Sequence, residues 1–190
     1  MIFNDAVFHK FPVIKTDRLI LREILDSDKN EIFEIYSDHN VMKYFGSIPF
    51  SAINEAVDRI SLTGNGFKNK EGIRWGITVY PENKLAGSAG IWRIDKKNFR
   101  GEIGYELSKN HWRKGIMKEA LIEIINFAFV KMNLHTLEAN TDPLNNASNK
   151  LLESLGFVKE GQTTESFFFE DKFSDTAIFS LTKNKFMNII

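Results

Sequence analysis

Residues 102–141 place the tightest limit on what this chain can fold into. Glu102 to Leu107 alternates like a half-buried strand, Gly115 to Met132 carries apolar residues at helical spacing, and Thr136 to Thr141 reads as a second short strand. Strand, helix, strand is a crossover, and a crossover sets its two strands parallel. Between the first strand and the helix lies Arg113-Lys114-Gly115-Ile116-Met117-Lys118-Glu119-Ala120. A short basic turn with one glycine, opening directly into a helix, leaves several backbone N–H groups without partners. They sit at the positive end of the helix dipole, beside cationic side chains. By physical argument this is a pyrophosphate cradle. It contains neither a Gly-Lys-Ser/Thr phosphate loop nor a G-x-G-x-x-G dinucleotide turn.

The flanking segments set the architecture. Val13 to Glu23 alternates around Leu19 and Leu21 as a strand, and Ile32, Phe33, Ile35 and Tyr36 share a helical face after the caps Asp26-Ser27-Asp28. A second helix is expected from Ser51, stopped by Gly64-Asn65-Gly66. Trp75 to Tyr80 and Leu85 to Ile94 read as a hairpin through Pro81-Glu82-Asn83. After the crossover, Asn145 to Leu155 reads as a helix closed by Gly156, and Phe157 to Lys159, Ser166 to Phe169 and Ala177 to Leu181 as the last strands. The expectation is an α/β (α+β) fold: a mixed, mostly antiparallel sheet with a central splayed parallel pair, flanked by helices. No repeat or linker interrupts it, so residues 1–190 are read as one domain with its core at about 13–183.

Composition removes several classes of function. Lys plus Arg and Asp plus Glu both number 25, a formal charge of zero, which argues against nucleic acid as a direct partner. The absence of Cys excludes disulfides, a thiol nucleophile and a cysteine zinc site, and fits a reducing cytoplasm. His9, His39, His111 and His135 lack metal-ligand spacing, so no metal is expected. The N-terminus shows no signal-peptide pattern, and the apolar run from Leu121 to Val130 is broken by Glu123 and Asn126, so no membrane role is expected. Trp75, Trp92 and Trp112 read as core or wall. Phe167-Phe168-Phe169 reads as strand and core, with one ring facing the other way and open to a substrate wall or a homodimer contact.

A second polar cluster begins at Asn145, in Asn145-Asn146-Ala147-Ser148-Asn149, where short hydrogen-bonding groups gather at a helix start. Together these motifs resemble the GNAT acetyltransferases, in particular the subgroup containing the Rim-type ribosomal-protein N-acetyltransferases. Thr16-Asp17-Arg18-Leu19-Ile20-Leu21-Arg22 resembles that subgroup's opening strand, and Glu102-Ile103-Gly104-Tyr105 its central strand. Trp112 to Ala120 resembles its CoA loop and helix, and Asn145 to Phe157 its Asn-x-x-Ser…Gly-Phe segment. The correspondence runs in order from about Thr16 to Lys183.

The resemblance implies roles. Backbone around Tyr105 and Leu107 would pair with the pantetheine arm of acetyl-CoA, and Trp112, Arg113, Lys114, Gly115, Ile116, Met117 and Lys118 would form the diphosphate loop. Asn145 would contact the pantetheine or fix the splayed strands. Glu102 matches the general base and Ser148 the acid for the departing thiolate. Three positions depart from the pattern: Arg113 replaces a usual glycine, Met117 a usual small residue that would leave the loop wider, and Glu106 a frequent aromatic. Alternation puts Glu102, Gly104 and Glu106 on one face, so either carboxylate could take the proton. Leu152 stands where many relatives carry an acidic Tyr. The implied function is acetyl transfer from acetyl-CoA to a primary amine, with a protein N-terminus preferred. A small amine (polyamine, amino acid or antibiotic) and a non-catalytic acyl-CoA sensor are the alternatives.

Overall fold

The computed structural model describes residues 2–189. Its strands are β1 (Ile14–Lys15), β2 (Leu19–Arg22), β3 (Ile73–Val79), β4 (Lys84–Asp95), β5 (Arg100–Leu107), β6 (Thr136–Thr141), β7 (Val158–Phe169) and β8 (Lys172–Thr182). The helices are α1 (Lys29–Ser37), α2 (His39–Met42), α3 (Ile53–Lys68), α4 (Ile116–Val130), α5 (Asn146–Ser154) and α6 (Lys183–Met187). All eight strands join one sheet in the order β1-β2-β3-β4-β5-β6-β8-β7. Every neighbouring pair is antiparallel except β5 with β6, as the crossover through α4 requires.

Alternation assigns the two faces of the sheet. Leu19, Leu21, Trp75, Ile77, Ala89, Ile91 and Ile103 point to the face where α4 lays down Ala120, Leu121, Ile124, Ile125 and Ala128. Phe3, Phe8 and Phe186 join this cluster from the two ends of the chain. The opposite face carries a smaller core of Ile32, Ile35, Tyr36, Met42, Ala56 and Ile60 from α1 to α3, with Ile24 and Leu85 beneath them.

Several expectations are corrected. The opening strand is two strands, because Thr16 turns the chain: its backbone N–H reaches Leu19 O and its hydroxyl accepts from Leu19 N. Helix α3 runs through Gly64-Asn65-Gly66 to Lys68. Each glycine costs about 1 kcal/mol there, but Phe67 packs on Phe11 and Phe8 with ring centroids 5.0 and 5.6 Å away, which anchors the final turn. The segments 157–159 and 166–169 belong to one long strand, β7, whose register slips twice against β8. The Phe167-Phe168-Phe169 run lies near the tip of that hairpin and outside the core. Phe167 and Phe168 are 42% and 57% exposed, and the Phe167 ring covers Gly46 in the loop after α2.

Candidate active site

The parallel pairing of β5 with β6 is brief. Arg100, Gly101 and Glu102 pair with Thr136, Leu137 and Glu138, and there the register ends. Beyond Glu102 the strands separate, β5 continuing along β4 and β6 along β8. Ser108 N donates to Ala86 O, so Glu102, Gly104 and Glu106 turn their backbone groups toward β4. Ile103, Tyr105 and Leu107 therefore turn theirs into the gap. At its far end stands Trp112, whose indole N–H donates to Leu107 O at 2.8 Å. The Leu107 carbonyl expected to face a ligand is thus already occupied.

The loop leading into α4 meets its structural expectation. Among the described residues, the backbone N–H groups of Arg113 through Lys118 have no acceptor, and Gly115 at the helix start supplies no side-chain cap. Gly115 sits at φ +75°, where glycine is at ease. Arg113 also has a positive φ, +59°, and bears the strain that glycine would avoid. Two left-handed residues around Lys114 fold consecutive amides toward a common side, a geometry suited to anions. Arg113, Lys114 and Lys118 are exposed and form no ion pair among the described residues. Ile116 and Met117 offer only their amides, since both side chains are buried against the sheet. Met117 therefore does not narrow the loop as expected.

At the other side of the gap, Asn145 caps α5 by accepting from Ser148 N at 3.1 Å. The Ser148 hydroxyl lies 2.8 Å from the Tyr105 hydroxyl, joining α5 to β5. Burial pushes the Tyr105 phenol up to about 12, against the lowering effect of Ser148. Asn149 ties the same corner together, accepting from the Thr141 hydroxyl and donating to Pro143 O. Leu152 is fully buried.

The two carboxylates on β5 share a face but not a setting. Glu102 stands at the last parallel rung and takes one contact from Arg93 Nη1 at 2.9 Å. Arg93 reaches it from a bulge between Trp92 and Asp95, with its own φ at +48°. Both line a recess of about 230 Å³ with Asp95, Arg100, Glu138 and Asn140. Glu106 is 5% exposed and holds Arg74 Nη1 through both oxygens, at 2.8 and 3.1 Å, as well as the Ser88 hydroxyl. Gly104 between them lets the Trp92 ring lie flat across the strand, where a Cβ would collide with it, and the Arg74 guanidinium stacks on that ring at 5.3 Å. Glu106 is a locked structural ion; Glu102 is also largely covered, but its one ion-pair partner, Arg93, is itself exposed and the pair lines the recess.

A group that sequence reading passed over secures the loop from behind. Arg18, in the turn between β1 and β2, donates from Nε and Nη2 to Glu119 Oε2 at 2.8 and 2.5 Å, and from Nη1 to Lys114 O at 3.2 Å. The Thr16 hydroxyl donates to Glu119 Oε1 at 2.5 Å. Burial alone would raise the Glu119 pKa, but these hydrogen bonds and the Arg18 charge outweigh it and hold it below the ordinary range. Only the one-turn spacing of Gly115 and Glu119 was visible locally; their partners lie about a hundred positions upstream.

An uncapped helix start, an interrupted parallel pair and two faces of polar side chains define a transferase of the GNAT class, and the chain belongs to the GNAT acetyltransferases: the acetyltransferase (GNAT) domain matches residues 18–158. It is 35% identical over 173 residues to the uncharacterized N-acetyltransferase YoaA of Bacillus subtilis, covering 91% of this chain and 98% of that one. It is 24% identical over 178 residues to the ribosomal protein uS5-alanine N-acetyltransferase of Escherichia coli, covering 89% and 90%. The spermidine N-acetyltransferase of Vibrio cholerae, solved with CoA and spermine, shares the fold with a TM-score of 0.80 at 21% identity, covering 91% and 100%. Among the described residues no cluster of metal-ligating side chains occurs, and no helix is long and apolar enough to cross a membrane.

Proposed function

We propose that this N-acetyltransferase uses acetyl-CoA as donor and a protein N-terminal amine as acceptor, with residues 1–190 acting as one domain. The observation that carries the donor assignment is the coincidence of two vacancies: β5 loses its parallel partner after Glu102, and α4 begins without a cap at the end of the same gap. Unpaired amides from Arg113 to Lys118 would hold the diphosphate, helped by the Arg113, Lys114 and Lys118 charges. The pantetheine arm would lie along β5 as a short added strand, using the free backbone groups of Tyr105 and Leu107 N–H.

The side chains suit a direct transfer with acid and base on opposite faces of the sheet. An ammonium acceptor must lose a proton before it attacks the thioester carbon, and Glu102 in the lining of the recess takes it. Glu106 does not serve, because Arg74 and Ser88 already occupy its oxygens. The amine nitrogen bonds to the acetyl carbon, the C–S bond breaks, and the thiolate leaves on the α5 side. Ser148 donates its proton there, with the Tyr105 hydroxyl positioned to replace it.

The acceptor preference rests on the uS5-alanine relative and on charge. Arg93 and Arg100 pair with Glu102 and Glu138 in the recess, leaving little free negative charge for a polyamine. The test is mass spectrometry of peptides with free N-termini, polyamines and amino acids after incubation with acetyl-CoA. A gain of one acetyl group on peptides alone supports the proposal. A gain on polyamines or amino acids reassigns the acceptor, and tight CoA binding without acetyl transfer to any of them makes the chain a sensor.

A further inference from the structure

Arg18 occupies an unusual position for a half-exposed arginine on a surface turn. It contacts the diphosphate loop and the first turn of α4 at once, through three donors, and its principal partner is an acid. We propose that Arg18 is a positioning residue for acetyl-CoA: it fixes the Lys114–Gly115 peptide so that the N–H of Gly115 faces the diphosphate. This deepens the proposed function and rests on the loop being the diphosphate site.

In a trans peptide the carbonyl and the following N–H point in opposite directions. The Lys114 carbonyl is held by Arg18 Nη1 at 3.2 Å, so the Gly115 N–H must point away from the guanidinium. Glycine allows that plane to turn over at little steric cost, and a reversed plane would aim a carbonyl oxygen at the phosphates. Among the described residues, and leaving out its chain neighbours, a Cβ built on Gly115 would find one atom within 4 Å, Arg18 Nη2 at 3.6 Å. A residue there must supply from outside the restraint that glycine lacks.

Charge supports the same assignment. Glu119 lies one turn into α4, where a bare carboxylate would repel a diphosphate bound at the helix start. Arg18 neutralises it through Nε and Nη2, and Thr16 takes its other oxygen. The guanidinium charge is thereby consumed internally, so the contribution of Arg18 to binding is mainly orientation. Lysine can replace the charge but not the planar fork that reaches two acceptors at once.

The experiment compares CoA with pantetheine, which lacks the diphosphate, in wild type, Arg18→Lys and Arg18→Ala. Dissociation constants are read by calorimetry, and kcat and KM by release of free thiol. The expected result is a roughly tenfold weaker CoA affinity for Arg18→Lys and a roughly hundredfold weaker one for Arg18→Ala, as for loss of a charge-assisted contact. KM for acetyl-CoA rises in parallel, kcat changes little, and pantetheine binds all three alike. Equal weakening of CoA and pantetheine would make Arg18 a general structural residue and overturn the proposal, as would unchanged CoA affinity in Arg18→Lys. If wild type itself prefers CoA no more than pantetheine, the diphosphate-loop reading fails and the proposal falls with it.

Discussion

Helices α4 and α5 both begin beside the gap between β5 and β6, and they begin in opposite ways. The start of α5 is closed by its own side chains: Asn145 caps Ser148, and Asp142 Oδ1 accepts from Leu144 N. The start of α4 is left open, with a glycine where a capping side chain would stand. Capping is worth about 1 kcal/mol and is easily supplied by Ser, Asp or Asn. The capped start is a fixed wall, while the open start of α4, lying beside the interrupted β5–β6 pairing, is the end proposed for the anion. The contrast separates the proposed anion end of the gap from its fixed wall.

That contrast can be broken or sharpened by experiment. The largest effect is expected at Glu102, on neither helix: Glu102→Gln should lower kcat by about 10²–10³-fold in a steady-state assay while CoA affinity holds. Glu106→Ala should instead act on folding, costing about 3–5 kcal/mol in denaturant titrations by leaving Arg74 buried and unpaired. A drop in kcat for Glu106→Ala at unchanged stability would reverse the assignment of the two carboxylates.

Amide hydrogen exchange tests the helix starts directly. CoA should slow exchange strongly in 113–118 and leave the Ser148 amide, already bonded to Asn145, nearly as it was. Uniform protection of both starts would remove the distinction. Asn145→Ala should cost about 1 kcal/mol, measured by thermal unfolding. The smallest effect is expected from Arg113→Gly, which removes a left-handed arginine and should raise stability by up to about 1 kcal/mol while weakening CoA several-fold. Acid sets one further limit. Because the Glu119 pKa is held below its unfolded value, its contribution to stability is complete above that ordinary value and disappears as pH falls through the lower folded one.

Much of this fold was readable from local pattern. The run from Arg100 to Thr141 satisfies its own periodicity, so strand, open loop, helix and parallel strand all fall where the sequence puts them. Errors arose where a distant residue decides the outcome. Gly64 and Gly66 look like a stop until Phe67 is seen among Phe8 and Phe11. Three consecutive Phe residues look like core, yet a hairpin that outruns its sheet has nothing to bury them. Alternation correctly placed Glu102 and Glu106 on one face, but only their partners tell them apart: exposed Arg93 on Glu102, buried Arg74 with Ser88 on Glu106. No local signal links Arg18 to Glu119.

The brief pairing of β5 with β6 has one more consequence. A sheet with an unfilled slot in its interior is incomplete on its own, and a donor bearing amide groups would serve as a temporary ninth strand. Loading would then stiffen the protein, so ligand and scaffold would melt as a unit and the melting temperature would climb with CoA concentration. Departure of spent CoA would require that slot to reopen, which makes product exit a natural brake on turnover.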